Sequence, residues 1–443
     1  MAPYFFRTLI LSGALLGPIG LAGQTPSPPE GKPTPPGRVV SNYKLSPARA
    51  EKAVDYSRAR YRLHFAAAAW AALLLVALVR LRVGPKLRDL AERVSSRRSV
   101  QAIVFVPILL GLIGLLTLPI DAARHRLSLA YGQSVQSWGS WLFDWIKGGA
   151  VGLAIALPVV WMLYGILRRS PRRWWLWFWL ATLPVIVFVV FLAPLVIDPL
   201  FFRFEPLEAR APELVREIET VTARAGLEIP RNKMYVMEAS AKLRSVNAYV
   251  TGLGASKRVV VWDTTLAKMT PPQTLFVFGH EMGHYVLGHV PRTILFVAAL
   301  LFVLLLLASR VGRRIFRGGG EPLGIRGLSD WASLPLLLLF LSVASEISLP
   351  VVNAYSRFNE HAADVYALEV IHGVVPEPSR AAAEAFQVLG EINLSDPKPG
   401  PFIRFWLYSH PPIAERIAFA LSYDPWSRGE PTRFVPPAPV VAP

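Results

Sequence analysis

The chain has 443 residues, 53% of them apolar, with a mean hydropathy of +0.39, no cysteine and a formal charge of +17. Several uncharged runs of membrane-crossing length exceed what one soluble core needs, which excludes an ordinary soluble enzyme. The missing cysteines exclude disulfides and thiolate metal ligands, and the positive charge, spread over loops between apolar runs, fits anchoring at lipid headgroups rather than one nucleic-acid-binding face.

Taken from the N-terminus, residues 9–23 form a short apolar stretch behind Arg7 that ends in small residues, as a signal peptide does. Retention as an additional spanning helix is the alternative, although Gly17 and Pro18 interrupt it. A proline-rich segment, 24–44, follows as an extended linker, and a similar tail closes the chain at 426–443. Six apolar runs, at 63–79, 102–120, 149–167, 174–197, 293–309 and 333–350, are each long enough to cross about 30 Å of hydrocarbon as a helix.

Two polar regions must carry the chemistry. The first, 198–292, predicts an amphipathic helix near 212–226 and then three short strands, MYVM (234–237), NAYVTG (247–252) and RVVVW (258–262). The last two are separated by a hairpin turn, LGAS. Pro271 and Pro272 suit a helix start, and the pattern continues that helix from Gln273 to about His289.

On this helix His280 and His284 are four residues apart, on one face, with Glu281 beside them: an HExxH arrangement. The two imidazoles can grip one ion, and a carboxylate next to that ion can take a proton from a water it polarises. Gly279, Gly283 and Gly288 each weaken the helix by up to about 1 kcal/mol relative to alanine, which is easier to understand if another backbone or a substrate comes close. His289, nine positions after His280, falls on the opposite face of an unbroken helix and is expected to be a polar residue near the membrane boundary.

A catalytic zinc site has three protein ligands and one open position. The second polar region, 351–423, supplies SRFNEHAAD (356–364), in which Glu360 and Asp364 share a helical face. Glu360 is expected to bind the metal while Asp364 accepts the second N–H of a ligand histidine. His361 is the competing ligand, ranked lower because it lies on a different face from Asp364. Further on, YSHPPIAERIA (408–418) places His410 and Arg416 around a helix that starts at two prolines. Glu346, near the end of an apolar span, faces either water, a partner or the headgroups.

Together HEMGHYVLGH, SRFNEHAAD, SHPPIAER, NAYVTG with RVVVWDTTL, and APLVIDPLFFRFEPL resemble one family over roughly residues 45–420. That family is the CAAX prenyl protease type of integral-membrane zinc endopeptidase, whose eukaryotic members process yeast mating pheromone and prelamin A. The resemblance implies one zinc ion per chain on His280, His284 and Glu360, with Glu281 as general base. It also implies that Asn247, the strand through Ala248 and Tyr249, His410 and Arg416 hold the substrate backbone and the developing oxyanion. The fold it implies is mainly α: six or seven transmembrane helices around a water-filled intramembrane chamber, capped by a zincin-like α+β domain with a small β-sheet.

The corresponding organisation is 1–23 signal or first helix, 24–44 linker, 45–197 an amphipathic leading segment and four spans, 198–292 the HExxH part of the protease domain, 293–350 a transmembrane hairpin, 351–425 the third-ligand part, and 426–443 tail. The expected partners are the bilayer and a peptide or protein substrate, lipid-modified or membrane-associated. A site-2-type intramembrane protease is one rival reading, but it needs its HExxH inside a span. A non-catalytic membrane chaperone of the same fold is another, and it would have lost Glu281 or Glu360.

Arginine and lysine set orientation. The loops after the first, third and fifth long runs carry Arg80, Arg82, Lys86, Arg88, Arg93, Arg97 and Arg98; then Arg168, Arg169, Arg172 and Arg173; then Arg310, Arg313, Arg314, Arg317 and Arg326. The alternate loop, 121–148, has only Arg124, Arg126 and Lys147. Both polar regions share its side, so the expectation is a bacterial inner-membrane protein with an extracytoplasmic active site.

Overall fold

The computed structural model describes residues 40–252, 257–317 and 323–436. The signal-like stretch, nearly all of the proline-rich linker and the LGAS turn therefore lie outside the described residues. Six described helices are long and apolar enough to span a membrane, one for each predicted run. In chain order the elements are α1 (Pro47–Arg80), the amphipathic α2 (Val83–Val94), α3 (Arg98–Ala130), α4 (Trp138–Arg169) and α5 (Trp174–Leu192). The sheet and α6 (Pro212–Arg224) follow, then α7 (Pro271–Val286), α8 (His289–Arg317), α9 (Leu334–Ile371), α10 (Pro378–Ile392), α11 (Pro401–Leu407) and α12 (Ile413–Ser422).

Ser46 and Ser137 cap α1 and α4 by accepting the backbone N–H of Arg49 and Ser140, satisfying one orphan donor in each first turn. Prolines 107, 119, 158, 184 and 350 sit inside spanning helices without ending them, as packed membrane helices allow. Pro350 matters most: α9 runs through it as a single helix, so the last span and the third-ligand segment share one element.

Polar contacts define two ends of the helical bundle. At one end Arg88 holds Asp330 at 2.6 Å, Arg326 grips both oxygens of Glu92 at 2.9 and 3.0 Å, and Arg313 donates to the Arg172 carbonyl. The three arginine-rich loops thus lie together. At the other end Gln133 donates to the Ile392 carbonyl, Ser134 to that of Lys242, and the Lys44 N–H to Gln387. These contacts seat the protease domain over that end.

The sheet has four strands in the order β1-β2-β4-β3: β1 (Phe204–Pro206), β2 (Met234–Met237), β3 (Ala248–Thr251) and β4 (Arg258–Trp262). β2 runs parallel to β4, while β1 and β3 pair antiparallel to their neighbours. All five residues of β4 are buried, which explains its unbroken apolar run. β1 was not expected; three residues ending in proline give almost no strand signal. β3 is an edge strand, and α7 packs against it.

Candidate metalloprotease site

The site is assembled where α7 crosses α9. Thr270 and Gln273 form a capping box at the start of α7, with Pro271 in its first turn. Gly279 and Gly283 explain the close approach: a Cβ on Gly279 would stand 3.1 Å from Val370 Cγ1, and one on Gly283 3.1 Å from Tyr366 Cβ and 3.3 Å from the Ala363 Cα. The expected neighbouring backbone is therefore α9. Each glycine directly precedes a histidine, so contact on one face aims the next residue at Glu360.

His280, His284 and Glu360 present ligand atoms within 4.8 Å of one another. His280 Nε2 lies 3.2 Å from His284 Nε2 and 3.2 Å from Glu360 Oε2, and His284 Nε2 lies 3.5 Å from Glu360 Oε1. A tetrahedron with zinc-to-ligand spokes of about 2.0–2.1 Å has edges of about 3.3–3.4 Å, so the donors stand at the separations that zinc requires. Glu360 Oε2 is buried, with His280 Nε2 at 3.2 Å and Arg416 Nη2 at 3.8 Å as its nearest partners, a carboxylate oxygen that a cation would satisfy.

Electrostatics point the same way. Burial opposes an imidazolium at His280, yet its hydrogen bonds to the Asp364 and Glu360 carboxylates outweigh it and raise the ring to about 10. Burial holds His284 down, at about 3, as a neutral ligand. With His280 neutral, as a metal ligand must be, Glu281, Glu360 and Asp364 face one guanidinium, Arg416, an excess of negative charge that a divalent ion balances. The residues present fit zinc.

Around this trio, Asp364 Oδ1 meets His280 Nδ1 at 2.8 Å, and the two Asp364 oxygens accept from Arg416 Nη2 and Nε at 2.6 and 2.9 Å. His410, on the turn before α12, is exposed, with Nε2 3.2 Å from Glu360 Oε1 and Nδ1 2.9 Å from Ser409 Oγ. Burial raises the Glu281 carboxyl to about 7, with His280 opposing and Glu360 reinforcing. His361 points elsewhere, edge-on to Phe419.

One sequence expectation needs correction. α7 ends at Val286, not near His289, because Gly288 adopts φ +67° and breaks the helix. His289 consequently does not face away: its Nδ1 lies 2.9 Å from His284 Nδ1. The signal was present in the sequence, since a glycine just past the last periodic residue marks a helix stop.

The register of β3 sets which of its residues turn their main chain to the open edge. Trp262 N–H donates to the Asn247 carbonyl, so with Ala248 opposite Val261 the hydrogen-bonded pairs along β3 are at 247, 249 and 251. Tyr249 turns its main chain to β4 and its hydroxyl donates to Asp198. Ala248 and Val250 turn their main chains to the open edge, where Asn247 Oδ1 already accepts the Ala248 N–H. Glu346 binds His64 at 3.0 Å and Trp406 at 3.1 Å between α1, α9 and α11, so the partner it needed is within the protein.

Convergent histidines and a glutamate, with a spare carboxylate alongside and a six-span scaffold beneath, define a membrane-embedded metalloprotease. Comparison with known proteins gives the lineage: residues 208–424 match the model of peptidase family M48, and residues 32–203 match that of the CAAX prenyl protease N-terminal region with five membrane helices. The chain belongs to family M48, in its CAAX prenyl protease type. The uncharacterized metalloprotease YhfN of Bacillus subtilis is 35% identical over 381 residues, 85% of this chain and 86% of that one. CAAX prenyl protease 1 of Saccharomyces cerevisiae is 27% identical, covering 73% of this chain and 72% of its own. The crystal structure of S. mikatae Ste24p superposes with a TM-score of 0.73 over 86% of this chain and 90% of that one, a likeness of fold at 24% identity.

Proposed function

We propose that this protein is a zinc endopeptidase that hydrolyses peptide bonds of membrane-associated substrates, with one ion held by His280, His284 and Glu360. The tetrahedral spacing of the three donors beside Glu281 carries the reading. Bound zinc would supply Lewis acidity to the scissile carbonyl and to the attacking water. Glu281 takes a proton from the attacking water and returns it to the leaving amine. The Ala248 carbonyl and the Val250 main chain hold an extended peptide by ladder bonds that fix register without demanding one sequence. His410, exposed and next to Glu360, donates to the oxyanion. Asp364 fixes the tautomer and angle of His280.

The yeast relative's name specifies prenylated CAAX substrates, and that chemistry, or quality control of membrane proteins, is the substrate reading for this chain. α7 is not among the six spans, which disfavours a site-2-type protease. α1 buries little of its surface, and His64 and Glu346, a polar pair within the helical bundle, remain partly accessible; both features suit a solvated interior chamber. Purified protein is expected to hold close to one zinc per chain and to lose activity to chelators, with His284→Ala emptying the site. Metal retained by a chain lacking both His280 and His284 would sink the ligand assignment.

We also infer an active site outside the cytoplasm of a bacterial inner membrane. The three arginine-rich loops share one end and the protease domain the other, and the basic end faces the cytoplasm. A reporter fused after Tyr423 should give phosphatase activity without cytoplasmic fluorescence, and the reverse pattern would place the site in the cytosol.

A further inference from the structure

The two histidines of the metal position are supported differently. His280 Nδ1 meets a carboxylate oxygen of Asp364 at 2.8 Å, whereas His284 Nδ1 meets another imidazole, His289 Nδ1, at 2.9 Å. The His284 and His289 rings stand 5.0 Å apart at 68°, and His289 is only 4% exposed. In an unbroken helix residue i+5 lies about 140° around the axis and could not meet residue i. Here the Leu287 N–H bonds the Gly283 carbonyl and the Gly288 N–H that of Tyr285, Gly288 takes the left-handed conformation, and His289 restarts the chain as the first residue of α8. The break is what carries His289 back over His284.

A contact between two Nδ1 atoms holds one proton, and the ligand role decides its owner. His284 turns Nε2 to the metal position and needs the lone pair there, so its proton sits on Nδ1 and His284 donates. His289 accepts on Nδ1 and keeps its own proton on Nε2.

We propose that His289 is a positioning residue for the metal centre, accepting the Nδ1–H of His284 and so fixing that ring's tautomer and orientation. The proposal rests on the reading of His280, His284 and Glu360 as zinc ligands. It also accounts for the choice of an imidazole. A second supporting carboxylate would add negative charge to a site that already holds three, while a neutral acceptor orients the ring without doing so. A polar residue merely resting at the membrane boundary has no reason to be buried or to aim one nitrogen at a ligand.

The test measures zinc affinity of the full-length protein by competition with a chelator, using His289→Asn and His289→Leu. Asparagine places an acceptor oxygen close to where Nδ1 stood, and leucine keeps comparable bulk without one. Leucine should raise the zinc Kd by about 10- to 100-fold, the usual loss when such a partner is removed, and asparagine should restore most of it. Thermal unfolding of the metal-free protein should be alike in both. If leucine prevents assembly, His289→Ala takes its place. An unchanged Kd for leucine or alanine overturns the proposal, and so does an equal loss in asparagine. Failure of the wild-type protein to bind zinc, or undiminished binding by His284→Ala, would instead overturn the ligand assignment beneath it.

Discussion

Glu281→Gln should lower kcat by about 100- to 10,000-fold, the range supplied by a positioned general base, while leaving zinc content unchanged. Glutamine keeps the shape but cannot take a proton, and Glu281 is not among the three side chains that converge on the proposed metal position, so ion binding should survive. The wild-type pH profile carries the same assignment. Only the carboxylate is a base, and burial raises its pKa to about 7, so kcat/KM should fall as pH drops through that group. A bound divalent cation favours the ionised form, which puts the acid limb at or below about 7. A glutamine variant of wild-type activity, or an acid limb that survives in it unaltered, would remove Glu281 from the mechanism.

The spans were legible because hydropathy depends on run length alone, and each of the six runs became a helix. HExxH was legible because its geometry is local: His280 and His284 need only four residues of helix. Glu360 required a second helix to arrive from 76 positions downstream, and four-residue spacing with Asp364 supplied only a face, not a distance. What placed that face was Gly279 and Gly283, whose missing Cβ atoms let α7 and α9 meet. His289 was assigned by helical phase across Gly288, where phase is lost, although the glycine itself marked the stop. The register of β3, which decides which of its residues face the open edge, is set by partners distant in sequence, which periodicity does not report.

Arg416 separates two roles that sequence resemblance merges. A guanidinium that holds the substrate carbonyl needs donors turned to the cleft, yet this one is buried over the Phe386 ring at 4.3 Å and commits Nε and Nη2 to Asp364. We infer that its main work is on the enzyme, neutralising Asp364, which in turn meets His280. Arg416→Met leaves a buried carboxylate unpaired, and breaking such a pair costs about 3–5 kcal/mol. The variant should lose stability and zinc affinity together, and turnover of whatever fraction loads zinc should change less. Lysine, which keeps the charge but not the two-pronged geometry, should recover only part of the loss. Substrate-carbonyl binding predicts the opposite, a fall in kcat with stability and zinc Kd intact. A double-mutant cycle decides between them, because contacting residues are non-additive. If Arg416 acts through Asp364, adding Asp364→Asn to Arg416→Met should cost far less than Asp364→Asn alone, since the orphaned charge is removed with it. Additive effects on stability and zinc affinity would place Arg416 at the substrate instead.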